Sequence, residues 1–234
     1  MQYKAIVFDK DGTLIDFTGT WLPVFRRAAL QVAGGDPDLA ATLLHEQGYD
    51  ATRGRFIGGS LLAAGNNHEI AAAWSAQLST RVEGDHLSRI FQELVAGSAT
   101  PVPGLRETLA ELKRLGLALG VATSDSFAGI QNSLQRFDVL DLFDFLSGYD
   151  SGHGVKPNPG MVEAFCEAVA IPAAQTIVVG DNRHDIEMGR NAGAGLCVGV
   201  LTGTSTREEL EAIADRVFDN ISGLLDLFGT ANRR

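Results

Sequence analysis

Residues 6–14 read Ile6-Val7-Phe8-Asp9-Lys10-Asp11-Gly12-Thr13-Leu14. The apolar run from Ala5 to Phe8 predicts a short buried strand. It ends abruptly in Asp9 and Asp11, followed by Gly12, a residue that permits a sharp turn. Two carboxylates delivered to the end of a buried strand repel each other and resist desolvation unless a cation neutralises them. A hard divalent ion such as Mg2+ meets that need, because it prefers oxygen ligands. A solvated acidic turn is the plainer alternative, so the choice rests on what the rest of the chain brings to the same place.

Further strand-like runs lie at Leu117–Thr123, Phe143–Ser147, Thr176–Gly180 and Leu196–Val200, each ending near Gly, Ser, Thr or Asp. Helical patterns alternate with them, at Leu105–Leu115, Ala128–Phe137, Met161–Ala170 and Ile186–Ala192. This alternation predicts an α/β chain with a doubly wound parallel-sheet (Rossmann-like) core. Ligands of such sheets bind in the crevice at the carboxyl ends of the strands. The interval from Phe17 to Gly97 breaks the pattern. It carries helical periodicity at Trp21–Val32, Asp38–Glu46, Glu69–Gln77 and His86–Val95, and almost no strand signal. It is too long to be a structureless loop. The reading is a small helical domain over residues 17–97, inserted into a core formed by residues 1–16 and 98–234, with the tail 231–234 frayed.

Three later segments place chemistry at strand ends. Thr123 and Ser124 offer a hydroxyl and an amide suited to a phosphate oxygen, although such residues also cap strands and helices everywhere. Lys156 precedes Pro157 and Pro159, so its stem leaves from stiff backbone. It is one of only four lysines, with Lys4, Lys10 and Lys113, and its ammonium suits a phosphate or a carboxylate. The run Ile177-Val178-Val179-Gly180-Asp181 repeats the logic of the opening segment, and Asp185 follows four residues later. If a helix starts after Asp181, the two acids flank its positive end. His184 reads as an exposed polar residue. Asp9, Asp11, Thr123, Lys156, Asp181 and Asp185 would then converge on one crevice.

Composition narrows the function classes. The 234 residues are 45% hydrophobic and 21% charged, which is ordinary for a globular protein. A formal charge of −10 argues against non-specific nucleic-acid binding. It leaves room for an anionic substrate, since a metal and a few cations set the local field. Cys166 and Cys197 form no disulfide framework and read as core residues. No apolar run reaches the roughly 18 residues of a membrane helix, and the amino terminus lacks a signal-peptide pattern. A cytoplasmic protein is expected.

The order Asp-x-Asp-Gly-Thr, hydrophobic-Thr, Lys-Pro and Gly-Asp-x-x-x-Asp resembles the haloacid dehalogenase-like superfamily of phosphohydrolases, nearest to its phosphoglycolate phosphatase-like branch. The insert's position is similar to that superfamily's helical cap of the first type. The resemblance implies roles. Asp9 would attack phosphorus and form an aspartyl-phosphate. Asp11 would protonate the leaving alcohol and then deprotonate the attacking water. The Asp9 carboxylate, the Asp11 backbone carbonyl and Asp181 would hold Mg2+. Thr123, Ser124 and Lys156 would bind the transferring oxygens, and Asp185 would position Lys156 or metal-bound water. Lys10 departs from the pattern, which usually has an apolar residue there; its side chain is expected to point away from the catalytic pair.

Rival chemistries separate on residues. Dehalogenase relatives lack the second aspartate, so Asp11 argues against that activity. Phosphonate-cleaving relatives use a cap lysine, and no lysine occurs between Asp16 and Gly97. The expected activity is Mg-dependent hydrolysis of a small organic phosphomonoester. The alternatives are a sugar phosphomutase of the same superfamily and a catalytically idle binding relative. The expected partner is a small phosphorylated metabolite, with no nucleic acid or membrane, and the oligomeric state stays open. Arg53 and Arg55 are candidates for substrate contact, or equally two solvated arginines on a loop. The insert would act as a lid that excludes water.

Overall fold

The computed structural model describes residues 2–95 and 98–229. Strand β1 (Ala5–Phe8) opens the chain. The inserted segment then contributes α1 (Phe17–Val32), α2 (Pro37–Glu46), β2 (Tyr49–Asp50), β3 (Arg55–Phe56), α3 (Leu61–Ala64), α4 (Asn67–Ser75) and α5 (Gly84–Val95). The alternating part follows as α6 (Leu105–Arg114), β4 (Ala118–Ala122), α7 (Phe127–Arg136), β5 (Phe145–Ser147), α8 (Gly160–Val169), β6 (Thr176–Gly180), α9 (Arg183–Asn191), β7 (Leu196–Val200), α10 (Arg207–Glu211) and β8 (Arg216–Phe218).

Six strands form one parallel sheet in the order β5-β4-β1-β6-β7-β8. β1 and β6 are buried along their whole length, as expected where helices cover both faces of a parallel sheet. Alternation along the strands sorts their side chains onto two faces. Ile6, Phe8, Leu119, Val121, Ile177 and Val179 pack with Leu105, Leu109 and Leu112 of α6 and Ile130 and Leu134 of α7. Ala5, Val7 and Val178 pack on the other side with Met161, Val162 and Phe165 of α8 and Met188 of α9. Because β4 and β6 lie on opposite sides of β1, the strand order reverses there. Ligands of such sheets bind at the carboxyl ends of the strands beside this point. Phe8 pairs with both Val121 and Val179, so Asp9, Thr123 and Asp181 leave the sheet at nearly the same level.

The chain divides into two compact units, Met1–Asp16 with Pro101–Arg234, and Phe17–Thr100. The helical unit has its own core, built on Phe25, Leu43, Phe56, Trp74, Leu87 and Phe91. Aromatic rings dominate it, with Phe25 and Phe91 centroids 5.3 Å apart. Thr100 stays with this unit, its N–H donating to Thr20 Oγ1 at 2.9 Å. Residues 98–100, expected in the core, fall in the helical unit, and the fraying expected at 231–234 lies outside the described residues.

Two features depart from the sequence reading. The helical unit holds a two-residue hairpin, β2 and β3, which is too short to show alternation. The Asp50 carboxylate closes it by accepting from Thr52 N and Arg53 N, and Tyr49 packs on Phe56. The sheet also gains β8 at its edge, three residues that find their place by pairing with β7. The inserted domain is thus helical with one small hairpin, and the core sheet has a sixth strand.

Candidate active site

Asp9 follows directly on β1, and its N–H donates to Val179 O at 2.8 Å, which continues the sheet into the site. The backbone then turns sharply. Leu14 N and Ile15 N donate to Lys10 O, and Gly12 takes φ of 97°. That angle favours glycine, and a Cβ there would meet the Asp181 carboxylate at 2.6–2.8 Å. The turn is therefore pressed against the end of β6. This explains why Asp-x-Asp-Gly is needed at that spacing.

β6 ends at Gly180, Asp181 follows directly, and Asn182 caps α9. Asn182 accepts from His184 N and Asp185 N, and Asp185 Oδ2 accepts back from Asn182 N at 3.2 Å and Asp181 N at 3.1 Å. Asp185 thus has a structural role at the helix start. Its other oxygen, Oδ1, accepts from Lys156 Nζ at 2.6 Å, and Lys156 Nζ also donates to Asp9 Oδ1 at 2.5 Å. One ammonium, its side chain 4% exposed, joins Asp9 after β1 to Asp185 in the first turn of α9. His184 is exposed, as expected.

Asp9, Asp181 and Asp185 are all buried and bring one carboxylate oxygen each within 4.8 Å of the others. Burial raises the Asp9 pKa to about 7, with Asp185 and Asp11 adding to the rise and Lys156 opposing it. Asp181 is pushed well above its ordinary value by burial, then by the charges of Asp185 and Asp9, against the donated Thr204 N–H. Lys156 is held protonated. Burial alone would lower its pKa, but Asp185 and Asp9 outweigh that and raise it. Lys156 carries one positive charge against three carboxylates, so the cluster favours a further cation. Two buried oxygens, Asp9 Oδ2 and Asp181 Oδ1, have no hydrogen-bond partner among the described residues. An all-oxygen donor set with two such atoms fits a hard divalent ion.

β4 delivers Thr123, which is buried and whose N–H donates to Ser147 O at 3.0 Å. Its hydroxyl accepts from Asp125 N at 3.2 Å, while Ser124 is exposed. Arg53 and Arg55 lie on the hairpin of the helical unit, apart from the core residues in sequence and in unit. Arg53 is engaged there with Asp50 at 3.0 Å. Cys197 is buried, whereas Cys166 is only half-buried and contacts Thr176 Oγ1 at 3.5 Å.

One expectation is overturned. The Lys10 side chain does not point away from the acidic pair; its Nζ lies 2.7 Å from Asp11 Oδ2 and 3.0 Å from Asp125 Oδ2. The alternation rule stops at Phe8, where β1 ends, and the tight turn redirects the following residues. A buried ammonium must find partners, and a four-carbon stem is long enough to reach them. The sequence reading also passed over Thr202, Gly203 and Thr204 after β7. Thr204 N donates to Asp181 Oδ2 at 2.9 Å, and Thr202 Oγ1 donates to Gly12 O at 2.6 Å. The signal was present, since Thr-Gly-Thr follows a strand of the same sheet.

A family model described as haloacid dehalogenase-like hydrolase matches residues 3–193. The chain belongs to that family. Among haloacid dehalogenase-like relatives, the Dickeya dadantii protein named "Probable phosphatase IndB" is 30% identical over 217 residues, covering 91% of this chain and 87% of the relative. A "Phosphoglycolate phosphatase" of Vibrio vulnificus is 29% identical, covering 97% of this chain and 96% of its own. A solved structure described as a predicted phosphoglycolate phosphatase from Haemophilus somnus superposes with a TM-score of 0.76. Its identity is 23%, and the match covers 97% of this chain and 99% of that one. This last likeness shows the fold: a Rossmann-like α/β core of the haloacid dehalogenase-like type. Among the described residues, no helix is long and apolar enough to cross a membrane.

Proposed function

We propose that the protein is a Mg2+-dependent phosphatase that hydrolyses a small organic phosphomonoester through an aspartyl-phosphate on Asp9. The observation that carries this is the buried cluster of Asp9, Asp181 and Asp185, bridged by Lys156 and retaining two unpartnered carboxylate oxygens. Phosphatases among the relatives support the reaction class.

The residues divide the work as follows. Lys156 holds the Asp9 carboxylate through Oδ1, so the group that attacks phosphorus is presented in one orientation. A carboxylate whose rotation is stopped by a charged hydrogen bond loses little freedom on attack. Asp11, partly exposed at 17%, delivers a proton to the leaving alcohol and takes one from water in the second step. Lys156 and the Thr123 hydroxyl stabilise charge on the transferring oxygens. Asp185 keeps Lys156 in place through a 2.6 Å contact while its other oxygen is locked into the cap of α9. The Asp9 and Asp181 carboxylates and the Asp11 backbone carbonyl would hold Mg2+, with Asp185 beside them. Bound there, the ion offsets repulsion between Asp9 and an anionic substrate and stabilises developing charge.

The substrate class follows from charge as well. With a net charge of −10, a large polyanion is disfavoured, whereas a small phosphomonoester meets only the local field of the crevice. The test is a panel of phosphorylated compounds assayed with Mg2+: 2-phosphoglycolate, several sugar monophosphates and phosphoproteins, following both phosphate release and isomer formation. Phosphate release from small esters is expected, with a phosphoryl group on the peptide containing Asp9 after acid quench. Isomerisation faster than release would replace the reading with a mutase. Selective turnover of phosphoproteins would defeat the small-substrate assignment.

A further inference from the structure

Lys10 is fully withdrawn from solvent, 2% exposed, at the centre of the turn that carries Asp9 and Asp11. Lysine is almost never buried unless paired, because desolvating an ammonium is costly. Here it contacts two carboxylates, Asp11 Oδ2 at 2.7 Å and Asp125 Oδ2 at 3.0 Å. Both are partly exposed, Asp11 at 17% and Asp125 at 31%, and Asp125 is tied down from several sides. Its Oδ1 accepts from Ser126 N at 2.7 Å, its carbonyl accepts from Tyr149 N at 3.0 Å, and its N–H donates to Thr123 Oγ1 at 3.2 Å. Gly129 and Gly148 leave it room, since a Cβ at either position would strike the Asp125 carboxylate or backbone.

We propose that Lys10 is a positioning residue, a buried strut that registers the Asp11 carboxylate against Asp125 and so against the loop carrying Thr123. This deepens the phosphatase reading and rests on the acid–base role given there to Asp11. The strut links the group that exchanges protons with substrate to the loop that binds phosphate oxygens. The distance between those two functions is then set by a rigid ion-paired bridge rather than by a free rotamer. The ammonium is a donor only, so it holds Oδ2 as an acceptor. A merely space-filling residue needs no such partners. An apolar side chain of similar length would fill the same volume without desolvating three charges.

The prediction separates position from folding through the leaving group. An aryl phosphate such as p-nitrophenyl phosphate leaves with little help from an acid, while an alkyl phosphate depends on proton delivery. Lys10→Met, assayed with Mg2+, should lower kcat/KM for an alkyl phosphate by at least about tenfold, because that ratio reports the steps up to departure of the alcohol. The aryl ester should be much less affected in kcat/KM; kcat also contains the second step, in which Asp11 activates water on either ester, so the comparison is made on kcat/KM. Asp125→Asn, which keeps Lys10 but weakens its anchor, should show the same selectivity in smaller measure. The double variant Lys10→Met/Asp125→Asn leaves fewer unpaired charges and serves if Lys10→Met alone does not fold. In an Asp11→Asn background, Lys10→Met should cost nothing further on either ester. Equal losses of kcat/KM on both esters, or a loss that persists in the Asp11→Asn background, would overturn the strut, as would no loss at all. The wild-type rate on the aryl ester separates the two failures. Without any turnover the phosphatase reading falls and this role with it; with turnover but no selectivity, only the role of Lys10 falls.

Discussion

Gly203 lies against Asp181 so closely that a Cβ on the glycine would overlap the aspartate's carboxylate. The next residue, Thr204, donates its N–H to that carboxylate at 2.9 Å. The loop after β7 therefore clasps the end of β6, and only a residue without a side chain allows it. Gly203→Ala must push either the loop or Asp181 aside. The expected cost is about 1–3 kcal/mol of stability, the range for overpacking. Turnover should fall along with Mg2+ affinity. Thermal melts with and without Mg2+ check it, and an unchanged response of Tm to Mg2+ would show that the clasp does not shape the metal site.

Asp9→Asn is nearly isosteric and removes the phosphoryl acceptor. Activity should drop at least about a hundredfold, the low end for loss of a reacting group, while the far-ultraviolet circular dichroism stays native. Near-normal rates in a contaminant-free preparation would remove Asp9 from the role of nucleophile.

The raised pKa values make metal-free stability depend on pH with a definite sign. Asp9 titrates near 7 in the folded protein against 3.8 ordinarily, and Asp181 is raised too. Over that window the folded state holds protons that the unfolded chain has released. Their contribution to stability is therefore lost as pH rises through it. Mg2+ binds the ionised carboxylates, so it stabilises more as pH rises. Melting the protein in chelator and in Mg2+ at about pH 5 to about pH 8 should show the two curves diverging upward in pH. Parallel curves would contradict the assignment of this cluster to a metal.

Asp181→Asn separates charge from hydrogen bonding, because the amide oxygen can still accept from Thr204 N. In chelator at pH 8 the variant should be at least as stable as the wild type, since one of the crowded like charges is gone. Calorimetric titration should show Mg2+ binding weakened by at least tenfold. A variant that is less stable in chelator and binds Mg2+ normally would place the ion elsewhere.

Much of the site was legible because its residues sit where a strand pattern stops. Asp9, Thr123 and Asp181 each end an apolar run, and parallel strands of a doubly wound sheet bring such ends to one edge. Lys156 and Asp185 were legible from the stiff Lys-Pro segment and the Gly-Asp-x-x-x-Asp spacing, although the 2.6 Å contact between them was not. Asp185 shows the limit well. Its place at a helix start is local information, whereas its second oxygen's partner comes from 29 residues upstream.

The sequence by itself determined the alternation of strands and helices, the helical insert and the acidic strand ends, because these depend on periodicity and turn chemistry over a few neighbouring residues. Only the tertiary structure decided where Lys10 points, since a long cationic stem goes to whichever carboxylates packing leaves within reach, and Asp125 is far away along the chain. The same holds for the clasp of Thr204 on Asp181, which spans 23 positions and joins the ends of two strands. It holds also for β8 and the β2–β3 hairpin, whose two or three residues carry no period of their own and become strands only by pairing.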